Sequence, residues 1–157
     1  MDITHRKATL QDIDIITKLG LLLYSDDNTF ETLYEENLSH LGRPEEVTFL
    51  AFLGDIAIGM AQSSVRRDYV EGTDSGNSDS KVGYLEGIFV RPEHRSKGIA
   101  KALIVECENW ARQMGCKEFA SDCRLQNEES YHFHLKIGFT EVGRNIHFAK
   151  DLGAVTK

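Results

Sequence analysis

Residues 84–100 constrain this chain more than any other stretch. Tyr84-Leu85-Glu86-Gly87-Ile88-Phe89-Val90 is an apolar, strand-forming run interrupted by one carboxylate, and Arg91-Pro92-Glu93-His94-Arg95-Ser96-Lys97-Gly98 breaks it into a basic, glycine-containing turn. From Gly98 onward, Ala102, Leu103, Val105, Ala111 and Met114 recur at helical spacing, with Trp110 near the end and Gly115 as a glycine stop. A strand, a cationic turn and a helix N-terminus stand here in direct succession. The first N–H groups of a helix have no intrahelical partner and lie at the positive end of its dipole, so this junction suits a pyrophosphate. Arg95 and Lys97 add charged donors. Neither the Walker loop nor Gly-x-Gly-x-x-Gly is present. Taken alone, such a turn is also an ordinary solvated helix cap.

At 157 residues, the chain has room for one domain with a real core, expected over residues 1–152 with 153–157 as a tail. With 41% hydrophobic and 27% charged residues it reads as soluble and globular. No apolar run reaches membrane-spanning length and the first residues lack a signal core, so a cytoplasmic location is expected and a membrane partner is not. A net charge of −7 disfavours nucleic acid, whose binding needs a basic surface, and suits a cationic partner. Cys107, Cys116 and Cys123 are an odd number without metal spacing, which argues for reduced thiols. His132 and His134 lack a convincingly spaced third ligand, so no metal is expected.

Residues 3–8 read as a strand, and Thr9 as the cap of a helix carrying Leu10, Ile13, Ile16, Leu19, Leu22 and Leu23. A second helix spans 30–40 and ends at Gly42-Arg43-Pro44. Strands at 47–53 and 56–66 form a hairpin around Gly54-Asp55. A polar loop over 67–81, expected to be mobile at 75–80, precedes the strand at 82–90 and the helix at 98–114. A strand at 119–123, a helix capped by Asn127 and running to Lys136, and strands at 139–142 and 145–150 complete the order βααβββαβαββ.

The form Arg95-x-x-Gly98-x-Ala100, after a strand ending Phe89-Val90-Arg91-Pro92, resembles the acetyl-CoA-binding motif of the GNAT acetyltransferase superfamily. The element order resembles that family's from about residue 3 to 150. The resemblance implies an α/β fold (α+β, mixed sheet), the GNAT acyl-CoA N-acyltransferase fold, with a mostly antiparallel sheet splayed between strands 4 and 5. It implies acetyl-CoA as co-substrate. The backbone of Ile88, Phe89 and Val90 would pair with the pantetheine arm as an added strand does. The pyrophosphate would lie against Arg95, Ser96, Lys97, Gly98, Ile99, Ala100 and Lys101.

Further segments, Asp68-Tyr69-Val70-Glu71-Gly72, Gly115-Cys116-x-Glu118-x-Ala120-Ser121-Asp122 and Gly138-Phe139 with the motif strand, are similar to the aminoglycoside 6′-N-acetyltransferases. Carried over by position, Tyr69, Glu86 and Asp122 would hold the aminoglycoside, Tyr24 would pack on a sugar ring, and Asn127 would touch the cofactor. Asp27 falls where some relatives place a histidine. Glu86 reads either as a solvated alternate position or as a substrate-binding carboxylate and base, acting directly or through water. Asp122 reads as a strand-end turn residue or as a second carboxylate. His134, where many relatives carry a tyrosine acid toward the CoA sulfur, reads as that acid or as a structural histidine. Gly143 stands where some relatives carry a substrate-binding glutamate, with Glu141 close but out of register. The expected activity is acetyl transfer to the 6′-amine of an aminoglycoside by a homodimer. The rivals are a polyamine or protein-amine acetyltransferase and a non-catalytic acyl-CoA- or antibiotic-binding module.

Overall fold

A computed structural model describes residues 2–24, 26, 28–74 and 80–154. The chain divides into two compact units, Met1–Asp122 and Cys123–Lys157, each described in turn.

The first unit runs β1 (Ile3–Lys7), α1 (Ile13–Leu23), α2 (Phe30–Leu41), β2 (Glu46–Leu53), β3 (Ile56–Arg66), β4 (Val82–Val90), α3 (Ile99–Gln113) and β5 (Glu118–Ala120). The strands form one sheet in chain order, antiparallel from β1 to β4 and parallel between β4 and β5. The β2–β3 hairpin closes at Leu53↔Ile56, and Gly54 supplies the positive φ, 60°, that a two-residue turn requires at its first central position. In β2 every residue between Glu46 and Leu53 is buried, so this strand is covered on both faces. On one face Ile16 and Leu19 of α1 pack with Leu50, Phe52, Met60 and Phe89. Gly59, next to Met60 and so pointing oppositely, lies against Leu103 of α3. At Gly83 an added Cβ would fall 2.7 Å from that of Ala111, so α3 is seated directly on the β4 backbone.

Thr9 caps a short 3₁₀ turn, Leu10–Asp12, which leads into α1. Leu10 is therefore outside the helical period, and it is exposed, as is Leu22. Asp12 ties the junction: its carboxylate accepts from Thr9 N–H at 2.8 Å and from both Nη atoms of Arg6 at 2.8 Å. The Arg6 guanidinium holds this buried acid at about 2, against the opposing effect of burial.

The second unit contains α4 (Glu128–Lys136), capped by Asn127, whose side chain accepts from Ser130 N–H at 3.0 Å. Tyr131 hydroxyl donates to Glu141 Oε2 at 2.9 Å, and Arg144 pairs with the same carboxylate. Residues 139–154 carry no strand, so the strands expected at 139–142 and 145–150 are not found. Alternation states which side chains would share a face, but a strand also needs a backbone partner. Here Phe139 N–H donates to His134 O, Glu141 pairs with Tyr131 and Arg144, and Gly153 N–H donates to Asp151 Oδ1.

Candidate active site

The turn that follows β4 is built around two left-handed residues. Pro92–His94 form a 3₁₀ turn, Ser96 has φ 62° and Gly98, the residue before α3, has φ 79°. A non-glycine residue held in this region marks stored strain, and backbone turns of this kind gather N–H groups into an anion-binding concavity. No side chain caps the N-terminus of α3, and no acidic residue stands in its first turn. A Cβ placed on Gly98 would meet nothing within 4 Å, so open space lies over the turn. Ser96, Lys97 and Lys101 are exposed beside it, whereas Ile99 is buried and anchors the helix. Arg95 is exposed; its Nε donates to Val90 O at 2.9 Å, and its guanidinium lies over the Phe89 ring. It fastens the turn to the end of β4.

Upstream on the same strand, the pairing of β3 with β4 steps from Gln62↔Gly87 to Ser63↔Leu85. Glu86 is the extra residue of that bulge. Bulges re-aim side chains, which is how a carboxylate inside an apolar strand reaches solvent. Glu86 Oε1 accepts from Ser64 Oγ at 2.6 Å and from Arg66 Nε and Nη2 at 3.1 and 3.0 Å; Oε2 accepts from Nη2 at 2.9 Å. The Arg66 guanidinium lies 3.5 Å over the Tyr84 ring, and Tyr84 hydroxyl donates to Asp122. Burial first, and then the bond to Asp122, push the Tyr84 phenol well above its ordinary value, so it stays a donor. Asp122 stands two residues beyond β5. The two carboxylates expected to work together are thus joined through Arg66 and Tyr84, to which the sequence alone gives no role in the site. Their signal was present in the period: Ser64 and Arg66 share a face of β3, and Tyr84 and Glu86 lie on the adjacent strand.

A cavity of about 450 Å³ opens beside Glu86, lined among others by Tyr24, Asn28, Glu36, Gln62 and Ser64. Tyr24, just past α1, is packed on Gly87, and its hydroxyl donates to Glu86 O at 3.4 Å. Burial and then the charges of Glu86 and Glu36 raise its phenol, which keeps it protonated. Tyr69 is exposed, its hydroxyl donating to Glu71 at 2.9 Å, and it is not among the cavity's lining residues. Of the α2 acids, Glu36 lines this cavity, while Glu31 and Glu35 line a small separate recess with Phe30 and Tyr34. Asp27 and residues 75–79 lie outside the described residues.

Pairing of β4 with β5 ends at Tyr84↔Ala120. Among the described residues, positions 86–90, including Ile88, Phe89 and Val90, have no ladder partner on the β5 side, which is the splay. In the second unit, His134 Nδ1 lies 2.6 Å from Ser130 O. A carbonyl can only accept, so a neutral His134 carries its proton on Nδ1 and offers Nε2 as an acceptor; donation from Nε2 needs the imidazolium. All three cysteines are free thiols, Cys107 and Cys116 buried and Cys123 half-buried. Among the described residues, no group of three His, Cys, Asp or Glu side chains is arranged to hold a metal. No helix among them is long and apolar enough to cross a membrane.

The family model described as acetyltransferase (GNAT) family matches residues 15–139. The chain belongs to the GNAT acetyltransferase family. Among individual proteins, an aminoglycoside N(6′)-acetyltransferase type 1 of Stenotrophomonas maltophilia is 36% identical over 95% of this chain and 94% of its own length. A protein of the same name from Acinetobacter baumannii is 46% identical over 97 residues, 62% of this chain and 64% of that protein, so the matched stretch spans less than two thirds of that relative. A solved structure of AAC(6′)-Iy in complex with the bisubstrate analogue CoA-S-monomethyl-acetylneamine matches with a TM-score of 0.88 at 32% identity, covering 96% of this chain and 99% of that one. The expected fold, with its mixed sheet opening between β4 and β5, is the fold found.

Proposed function

We propose that this protein transfers the acetyl group of acetyl-CoA to the 6′-amine of an aminoglycoside. The observation that carries the reading is that one strand joins two features: β4 holds Glu86 at its bulge and runs into the open, uncapped turn of Gly98. A relative 36% identical over nearly the whole chain bears the name of that activity, which supports the choice of acceptor.

In this reading the backbone of Ile88, Phe89 and Val90, which has no ladder partner on the β5 side, pairs with the pantetheine amides, and the turn from Arg95 to Lys101, with its N–H groups and the charges of Lys97 and Lys101, receives the pyrophosphate. Asn127 is a further cofactor contact. The acceptor's ammonium groups meet Glu86, Asp122 and Glu36, with Tyr24 against a sugar face and Tyr69 at the rim; Asp27 is a further acceptor residue by resemblance alone. The ammonium loses its proton to Glu86, directly or through water. The neutral nitrogen attacks the thioester carbonyl carbon, the N–C bond forms, the C–S bond breaks, the nitrogen gives its second proton to solvent, and the CoA thiolate leaves and is protonated, with His134 as a candidate donor in its imidazolium form. A backbone N–H near Val90 stabilises the oxyanion. The reading includes a homodimer in the cytoplasm, where acetyl-CoA is available; sedimentation and fractionation test both.

The deciding experiment measures thiol release from acetyl-CoA with kanamycin-like and tobramycin-like acceptors, with their 6′-hydroxyl analogues, and with polyamines and peptides. The 6′-amino compounds should react, and the product should carry its acetyl group on the 6′-nitrogen. The hydroxyl analogues should bind with little turnover, because the nucleophile is weaker. Faster reaction of polyamines or peptides than of every 6′-amino aminoglycoside would overturn the acceptor assignment, and binding without thiol release would overturn the enzyme.

A further inference from the structure

The Glu86 carboxylate in this site is not a free anion awaiting an ammonium. Oε1 receives three donors, from Ser64 Oγ, Arg66 Nε and Arg66 Nη2, while Oε2 receives Arg66 Nη2. Two different atoms of one planar guanidinium fix the carboxylate's rotation, and the Tyr84 ring 3.5 Å below fixes the guanidinium. Acceptor capacity is left on Oε2, which receives one donor against three on Oε1. Charged and titratable groups face this point from several elements. Arg66 comes from β3, Tyr84 and Glu86 from β4, Asp122 from beyond β5, Tyr24 from the end of α1, and Glu36 from α2. Three of these are carboxylates and one is a permanent cation; Lys7, His40, Arg43 and Glu46 line the same cavity, with Glu46 paired to His40 and Arg43.

That balance matters because the nucleophile is the neutral amine, whereas the species that binds is the ammonium. Three unopposed carboxylates would hold the ammonium tightly and also hold its proton. Ground-state binding of that kind lowers KM and slows the chemical step. We propose that Arg66 is a positioning and specificity-determining residue of the acceptor site, which orients Glu86 at the β4 bulge and half-neutralises it, so that a bound ammonium can release its proton. The inference rests on the functional reading above and adds to it a residue that never touches the reacting atoms. Its cation sets the strength with which the site grips a charged amine, and its planar fork sets the direction of the Glu86 lone pair.

The test is steady-state kinetics from pH 6 to 9 with a 6′-amino aminoglycoside at saturating acetyl-CoA, for the wild type, Arg66→Met and Arg66→Lys. A neighbouring cation at this range, half exposed and therefore screened, is worth about 0.5–1 unit on the amine, or about 3–10-fold in affinity. In Arg66→Met the acceptor KM at neutral pH should fall about 3–10-fold. Its kcat should fall by the same factor, and the rising limb of the kcat profile should move about 0.5–1 pH unit upward. Arg66→Lys keeps the charge without the fork, so its limb should stay in place while kcat drops. The KM for acetyl-CoA should be unchanged in both. Arg66→Gln replaces the methionine variant if that one melts below the assay temperature. An active wild type whose neutral Arg66 variants show an unmoved limb, or an acceptor KM that rises or stays constant, overturns this inference and leaves the functional reading standing. A wild type inactive on every aminoglycoside overturns both.

Discussion

Replacing Gly98 by valine tests the cofactor turn where structure and chemistry give separable effects. Gly98 has φ 79°, a conformation that costs a residue with a Cβ about 1–2 kcal/mol. Because nothing lies within 4 Å of the position a Cβ would take, the free protein suffers that strain and no collision. For a chain of this size the melting temperature should drop by roughly 2–8 °C. The same open space is where the proposed pyrophosphate approaches the uncapped helix N-terminus, and there the valine methyls do collide. Losing one charge-assisted hydrogen bond costs about 1.5–3 kcal/mol, which is about 10–150-fold in Kd. Alanine carries nearly the same strain with less bulk. Gly98→Ala and Gly98→Val should therefore lose similar stability, while acetyl-CoA affinity falls modestly in the first and strongly in the second. Calorimetric titration well below the melting temperature reads the affinity. A folded Gly98→Val protein that binds within twofold of wild type would show that the pyrophosphate lies elsewhere.

Glu86→Gln should reduce acceptor kcat/KM by about a hundredfold while leaving the KM for acetyl-CoA within about threefold, because it removes the carboxylate that Arg66 and Ser64 orient; equal loss toward both substrates would argue for a structural role. Asp12 is held at about 2, below its unfolded value of 3.8, so its stabilisation is present above about pH 4 and is lost as pH falls toward 2. The shift corresponds to about 2 kcal/mol, and urea unfolding of Asp12→Asn should show that loss at pH 7 together with a flatter profile between pH 4 and 2; an unchanged profile refutes it. The Cys107 thiol is fully buried and pushed up to about 12, chiefly by that burial. Thiol labelling at pH 8 should therefore modify half-buried Cys123 first and reach Cys107 only in denaturant; equal native rates would contradict it.

What could be read in advance was what is local. The strand 82–90, its break at Pro92 and the glycine before α3 are consecutive, so turn chemistry alone defined them, and the limits of β3 and β4 came out as expected. Glu86 was legible as a misfit in an apolar strand. Its partner was not, because Arg66 is twenty residues away and meets it through a bulge in the β3–β4 register that no single-strand period encodes. Leu10 and Val105 matched a helical stripe yet are exposed, one lying in a 3₁₀ turn and the other at the stripe's edge. Tyr69 is exposed with its hydroxyl on Glu71, a pairing that no helix or strand period encodes. Residues 139–150 show how pattern overreaches, since facing can be inferred from spacing while a hydrogen-bonding neighbour cannot.

The short seam between β4 and β5 sets two demands against each other. Three residue pairs, ending at Tyr84↔Ala120, join the strands, and the next residues of β5's course, Ser121 and Asp122, are poor strand formers whose side chains bond Leu85 O and Tyr84 hydroxyl. Extending that seam would add ladder bonds and strengthen the sheet. It would also consume the β4 backbone groups that the proposed function gives to pantetheine. Under the proposed function the protein's own chain and acetyl-CoA are competitors for one row of amides, and Ser121 and Asp122 keep the chain from winning. Strand-forming substitutions there should yield a protein that melts higher and catalyses less, so that position is one where selection for stability and selection for turnover pull in opposite directions.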